Sequence, residues 1–273
     1  MENEMESLVE KAKEGDKDSL ELLVREIQDN IYGLAIRMLW YPSDAEDATQ
    51  EILIKVITHL DSFRGESAFT SWVYRIASNH LITTNKCRVA KNEASFNTYE
   101  ESINSMVFDK QSKTIPGPEQ SLVMEEIMIG CTMGMLLCLD RDLRIAYILG
   151  GISGMKGDQC AYILDITPEA FRKRFSRAKK LLNDFMNKKC GLVNPKNTCR
   201  CSFYIDKAVE AGFDKPKNMM FACRPCIKKK GLPDAGQLQE MEELQRTIMI
   251  FRGHPEYRAP DQIVNEIRKV INV

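Results

Sequence analysis

Between Thr167 and Leu182 the chain reads TPEAFRKRFSRAKKLL, and this stretch leaves the backbone little choice. Thr167 is suited to accept from the first turn of a helix, and Pro168 has a fixed φ that fits the first helical position, where its missing N–H is not needed. Phe171, Phe175, Ala178 and Leu182 recur at three- and four-residue steps and so share one face. Arg172, Lys173, Ser176, Arg177 and Lys180 fall on the other. A short helix is expected over residues 158–164, with Asp165 in the turn, where aspartate tolerates a left-handed backbone better than most residues. Two helices joined so tightly form a helix-turn-helix, whose basic second helix can enter a DNA major groove. Arginine there can fork onto guanine or hold phosphate, and Lys173, Ser176 and Lys180 can add base or backbone contacts.

A second segment, Phe63 to Leu81, reads FRGESAFTSWVYRIASNHL. Unpaired nucleic-acid strands are held by aromatic faces that stack bases and by Arg, Asn and Ser groups that reach base edges and backbone. Here Phe63, Phe69, Trp72 and Tyr74 stand beside Arg64, Ser67, Arg75, Asn79 and His80. Aromatic residues at helical spacing also serve as plain core packing, so Arg75 and Asn79, whose polar ends need not support a core, are the sharper markers.

Just upstream, Ser43 followed by Glu46 reads as a capping box, and Pro42 is expected to stop the preceding helix near Trp40. The next helix should run to about Leu60. Ala45, Ala48, Ile52, Val56 and Leu60 point to its core side, leaving Asp47, Gln50, Glu51 and Ile54 outward. Ile54 is an apolar residue on an otherwise polar face, which marks a contact surface.

These patterns predict an all-α protein: two small helical domains joined by a flexible linker, the second a helix-turn-helix, followed by a mostly helical C-terminal extension. The expected divisions are residues 1–88, 89–121, 122–188 and 189–273. The linker lacks sustained periodicity and carries Pro116, Gly117 and Pro118, so it reads as extended and poorly ordered. The apolar run 127–139 contains two glycines, is too short to cross a bilayer and reads as a buried helix.

The formal net charge of −1 conceals a strong asymmetry. Residues 1–30 hold ten acidic and four basic side chains, whereas residues 168–190 hold two acidic and eight basic. An acidic N-terminus beside a basic reader suits a factor that engages DNA only after another subunit has positioned it. The opening MENEMESLVE lacks the cationic and apolar regions of a signal peptide, so a cytoplasmic protein is expected. Its nine cysteines are then reduced thiols or metal ligands rather than a disulfide framework. Three widely separated histidines, no phosphate-cradling glycine loop and no HExxH pair give no constellation for catalysis, and no enzyme is expected.

The strings DAEDATQEI, FRGESAFTSWVYRIA and ITPEAFRKRFSRAKKLL, in this order, resemble three segments of the sigma factors of bacterial RNA polymerase, specifically the small two-domain extracytoplasmic-function (ECF) group. The resemblance covers roughly residues 5–186. It implies that Asp47, Gln50, Glu51 and Ile54 dock on the clamp coiled coil of core RNA polymerase. It implies that Phe63, Arg64, Ser67, Phe69, Trp72, Arg75, Asn79 and His80 melt the −10 promoter element, and that Arg172, Lys173, Ser176, Arg177 and Lys180 read the −35 element. Promoter DNA and an anti-sigma factor are the further partners it implies, with no membrane. Three departures stand out: Asp140 follows Leu139 where the family has proline, Asp165 replaces a turn glycine, and Thr83 and His80 alter the melting helix.

Beyond about Met186 the resemblance ends. Cys199 and Cys201, with Cys223 and Cys226, could supply a tetrahedral thiolate site for structural zinc, Cys190 standing by as substitute; reduced structural thiols or a redox pair are the alternatives. No cofactor is otherwise required. A stand-alone, metal- or redox-responsive helix-turn-helix regulator is the competing function, and it would need a dimerisation surface that the sequence does not display.

Overall fold

The computed structural model describes residues 2–84, 95–106, 118–228, 238 and 241–271. Four helices open the chain: α1 (Glu2–Lys13), α2 (Lys17–Leu39), α3 (Pro42–Thr58) and α4 (Phe69–Thr83). Asp16 starts α2 by accepting from the Asp18 amide, and Leu23, Val24, Ile27 and Ile31 bury one face against α1 and α3. Trp40, at φ 72°, ends the helix. The expected Ser43–Glu46 box is not used. Tyr41 is the N-cap and Pro42 itself opens α3, because its φ is already helical, so Pro42 serves the following helix as well as breaking the preceding one. Glu46 turns instead to Arg224, 3.3 Å away. Ala45, Ala48, Ile52, Val56 and Leu60 all reach the core.

The stretch read as an extended linker contains α5 (Phe96–Met106); residues 85–94 and 107–117 lie outside the described residues. Ser95 and Thr98 cap this helix reciprocally, each side-chain oxygen accepting from the other's amide at 3.0–3.1 Å. Phe96, Tyr99 and Ile103 form a short apolar stripe against the rest of the protein. Phe96 packs on Phe185, and Tyr99 donates to the Cys131 carbonyl at 2.8 Å. The sequence reading missed it because one stripe of three residues between polar neighbours is a weak periodic signal.

Next come α6 (Pro118–Leu137), α7 (Arg141–Tyr147), a π-helical turn at Ile148–Ile152, α8 (Gly157–Leu164) and α9 (Pro168–Lys189). Because α6 reaches back well before residue 127, its segment Gln120–Leu137 is long and apolar enough to cross a membrane by length and composition; half of that window is buried inside the protein, as in a core helix. Asp140, standing where proline was expected, caps α7 by accepting from Leu143 N at 2.8 Å. At Gly150 a β-carbon would lie 3.0 Å from the Phe171 ring, so glycine lets the π turn close on α9.

Two arginines of α7 bind carbonyls left over at the ends of other helices. Arg144 is buried and donates to the carbonyls of Met38, Leu136 and Leu139, at 2.6, 2.9 and 2.9 Å. Arg141 donates to Ile82 and Thr84 at the end of α4. These bonds seat the helix-turn-helix domain on the first domain.

The extension adds α10 (Ile205–Glu210), α11 (Glu243–Arg252) and α12 (Asp261–Ile271), with a small antiparallel pair of strands, β1 (Cys226–Lys228) and β2 (Glu256–Tyr257). On α12, Ile263, Val264 and Ile267 are buried while Asp261, Gln262, Asn265 and Glu266 face solvent.

Candidate nucleic-acid interface

The helix-turn-helix is built as its turn chemistry requires. Asp165 adopts φ 54°, ψ 43°, closing α8 in the left-handed region, and Thr167 caps α9 by accepting from Ala170 N at 3.2 Å. Phe171, Ala178 and Leu182 are buried and Phe175 is half-buried against them. Arg172, Lys173, Ser176, Arg177 and Lys180 are all exposed on the opposite face. Lys173 pairs with Glu169 one turn earlier at 2.8 Å, an exposed contact that is easily exchanged for a phosphate. The arrangement is a rigid cationic ridge.

The segment after Phe63 divides in two. Phe63 and Phe69 are buried, and Trp72 is half-buried; the three rings pack with centroids 5.3–5.6 Å apart. Lys13 lies over Phe63 and donates to its carbonyl. In this conformation the ring faces of Phe63 and Phe69 serve the core and cannot stack bases, since each ring needs burial to hold the loop onto α4. His80 is likewise buried, its Nδ1 2.8 Å from Lys55 and its Nε2 3.7 Å from Glu51, so it joins α3 to α4 rather than projecting outward. Arg64 and Asn79 are exposed. Arg75 and Ser67 are half-buried for another reason, their contacts with α8.

Asp47 is exposed and Gln50, Glu51 and Ile54 are partly so along one side of α3. Asp47, Gln50 and Glu51 line a shallow cleft of about 190 Å³ between α3 and α4, together with Asp44, His80 and Thr84. Ile54 rests partly against the core. The surface is acidic with one apolar member, a composition suited to a partner helix with basic and apolar side chains.

The four cysteines expected to share a zinc ion are not gathered into one site. Cys190 and Cys199 face each other across an isolated parallel bridge, with Gly191 N donating to Cys199 O at 3.2 Å. Cys131 of α6, Cys190 and Cys201 pack against the same core, and Cys199 Sγ lies 3.5 Å from the Tyr204 hydroxyl. Cys223 instead contacts the Met219 sulfur at 3.3 Å in a separate small core, and Cys226 pairs with Tyr257 in the strands. The separation has a physical cause: the carboxylate of buried Glu126 accepts from the amides of Met220, Phe221 and Ala222 at 2.7–2.9 Å, fixing the Cys223 loop on another part of α6. Among the described residues no group of three or more His, Cys, Asp or Glu is arranged to hold a metal ion. Burial, helped by the neighbouring thiols, pushes the Cys201 thiol up to about 12 and Cys131 well above its ordinary value. Cys131 was missed in the sequence because nothing in its helical surroundings marks it as a partner of residues sixty positions away.

Comparison with known proteins places this geometry. Residues 23–88 match the family description Sigma-70 region 2, which spans α3, the Phe63 loop and α4. The chain is 30% identical over 182 residues to the RNA polymerase sigma-H factor of Pseudomonas aeruginosa, covering 65% of this chain and 91% of that protein. It is 33% identical over 180 residues to the ECF RNA polymerase sigma-E factor of Escherichia coli, with the same coverage of 65% and 91%. A solved structure of the sigma factor RpoE in complex with the anti-sigma factor NepR from Bartonella quintana matches at 25% identity and TM-score 0.41, covering 61% of this chain and 93% of that one. The region 2 match and the two sigma-factor relatives do not favour a stand-alone regulator. With the capped helix-turn-helix and the region 2 helices both in place, the chain belongs to the sigma-factor family of RNA polymerase, in its ECF group.

Proposed function

We propose that this transcription-initiation factor divides its work among three surfaces. The side of α3 bearing Asp47, Gln50, Glu51 and Ile54 docks on core RNA polymerase, the partner named for its relatives. The exposed face of α9 reads the upstream −35 element, Arg172 and Arg177 reaching guanine or phosphate and Lys173, Ser176 and Lys180 adding contacts. Arg64, Ser67, Arg75 and Asn79 hold the displaced strand at the −10 element, on a scaffold made rigid by Phe63, Phe69 and Trp72. The work is done in the cytoplasm, where promoter DNA and polymerase meet, and uses no covalent chemistry and no cofactor. An anti-sigma factor is a further partner, by analogy with the complex of RpoE.

The observation that carries this reading is the ridge of four cations and Ser176 on α9, exposed as a unit behind a turn closed by Asp165 and Thr167. Its test is reconstitution of the chain with core polymerase on a library of duplexes. Selection of a bipartite sequence, lost when Arg172 and Arg177 are replaced by alanine, is the expected result. Equal binding to every duplex would overturn the reading.

A further inference from the structure

The helix proposed to hold the opened strand is covered by the domain proposed to read duplex. Arg75 Nη2 of α4 pairs with Asp165 in the helix-turn-helix turn at 2.7 Å, and its guanidinium lies 5.3 Å from the centre of the Tyr162 ring. Ser67 donates to the Tyr162 hydroxyl at 2.9 Å, and Gln159 Nε2 donates to Ser71 at 3.1 Å. Polar ends that a single strand would need are thus taken up by α8, while the basic face of α9 stays exposed.

The C-terminal extension grips both partners of this contact. On the first domain, Arg268 forks onto Glu21, Ala259 N donates to Asp29 at 2.7 Å, and buried Arg37 donates to Pro255 O at 3.0 Å. Arg224 reaches the Tyr32 hydroxyl at 2.8 Å, and Phe221 meets Trp40 edge-on at 5.4 Å. On the second, Arg252 donates to Gly151 O at 2.7 Å, Thr247 to Asn183 at 3.0 Å, and Phe251 packs edge-on against Tyr147 at 5.2 Å. His254 Nε2 lies 2.6 Å from Thr132 Oγ1 of α6. The Phe221 loop itself bridges, with Glu126 of α6 holding its amides and Trp40 of the first domain its ring.

We propose that the extension is an intramolecular strap that keeps the strand-capturing helix closed under the helix-turn-helix domain, so that the chain can meet duplex before it can hold a melted strand. The Arg75–Asp165 pair is too exposed to close the chain by itself, and the extension shares that task with the Arg141 and Arg144 bonds from α7 to Ile82, Thr84 and Met38. Attaching both domains to one folded strap makes their contact intramolecular, which raises the effective concentration of each for the other. Opening then requires an interaction that binds the separated domains more tightly than the closed ones. The proposal rests on the reading of α4 as the strand-holding helix.

The test uses the full chain carrying Phe221→Ala, which removes the ring that Trp40 packs on, and separately Arg224→Ala with Arg268→Ala, which removes the polar contacts to Tyr32, Glu46 and Glu21 and leaves the buried rings in place. Small-angle scattering and hydrogen exchange report closure, and permanganate footprinting with core polymerase on a selected promoter reports opening. The expected result is a larger radius of gyration, faster exchange in both α4 and α8, and open-complex formation at least threefold faster than wild type, with upstream duplex binding unchanged. Unchanged compactness and exchange in both variants would overturn the strap, as would an expanded chain that opens promoters at the wild-type rate. Failure of the α4 assignment is separately visible, because Arg75→Ala and Asn79→Ala would then open promoters normally.

Discussion

Arg75 and Asp165 form a 2.7 Å ion pair between α4 and the turn of the helix-turn-helix, joining residues ninety positions apart. Asp165 caps α8 in the left-handed region and at the same time occupies the guanidinium proposed to hold a melted strand. With 34% and 69% of the two side chains exposed, the pair is a contact that a phosphate can displace.

Alanine at Arg75 or Asn79 is expected to lower permanganate reactivity of promoter thymines while closed-complex formation persists. Asp165→Ala should act in the opposite direction, because it leaves Arg75 available. Equal opening by all three variants and wild type would refute the assignment.

Replacing Gln50 and Glu51 together by alanine should weaken binding to core polymerase with nearly unchanged far-ultraviolet dichroism. Both side chains line the cleft beside α4 and neither belongs to the apolar core. Wild-type affinity in the double variant would remove α3 from the docking surface.

On α9, Arg172→Ala or Arg177→Ala should cost about 1–3 kcal/mol in promoter binding and relax preference at particular base pairs if the side chain forks onto guanine. Quantitative binding to single-base promoter variants decides. A loss uniform across sequences marks a phosphate contact instead.

Acid should loosen the strap. Burial holds the His254 pKa down to about 3 from an ordinary 6.5, so the unfolded chain takes up the proton first as pH falls through that window. Stability is therefore full above about 6.5 and is lost toward pH 3, at up to about 1.4 kcal/mol per pH unit. The Arg268 hydrogen bond holds Glu21 down to about 2, so its contribution is full above 4.5 and is lost as pH falls toward 2. Urea unfolding followed by tryptophan fluorescence should show a lower midpoint at pH 5 than at pH 7, and His254→Gln should flatten the difference. A pH-independent midpoint in wild type would contradict the buried neutral imidazole.

Cys131 and Cys201 should react with iodoacetamide at pH 8 at least tenfold more slowly in the folded chain than in urea. Desolvation disfavours the thiolate, which is the nucleophile, in both. Mass spectrometry of alkylated peptides gives the ratio, and equal rates would show that these thiols are accessible.

Local chemistry made much of the chain legible. The cap and turn residues Asp165, Thr167 and Pro168 specify a helix-turn-helix because each satisfies a backbone requirement within a few positions, whatever surrounds it. The exposed ridge of α9 and the core face of α3 followed from helical period alone. Tertiary structure decided the rest, because identical local signals admit different partners. Ser43 and Glu46 satisfy a capping rule, yet Arg224 claims Glu46 and Pro42 begins the helix. Phe63, Phe69 and His80 have the chemistry of strand contacts, yet packing of the loop and of α3 on α4 buries them. Cysteine spacing suggested one four-thiol site, whereas Glu126 fixes the Cys223 loop apart from the Cys190 to Cys201 turn. Above all, Arg75 meets Asp165 and Arg268 meets Glu21 only because long-range packing of the extension and both domains brings them together, a cooperative outcome that no window of sequence contains.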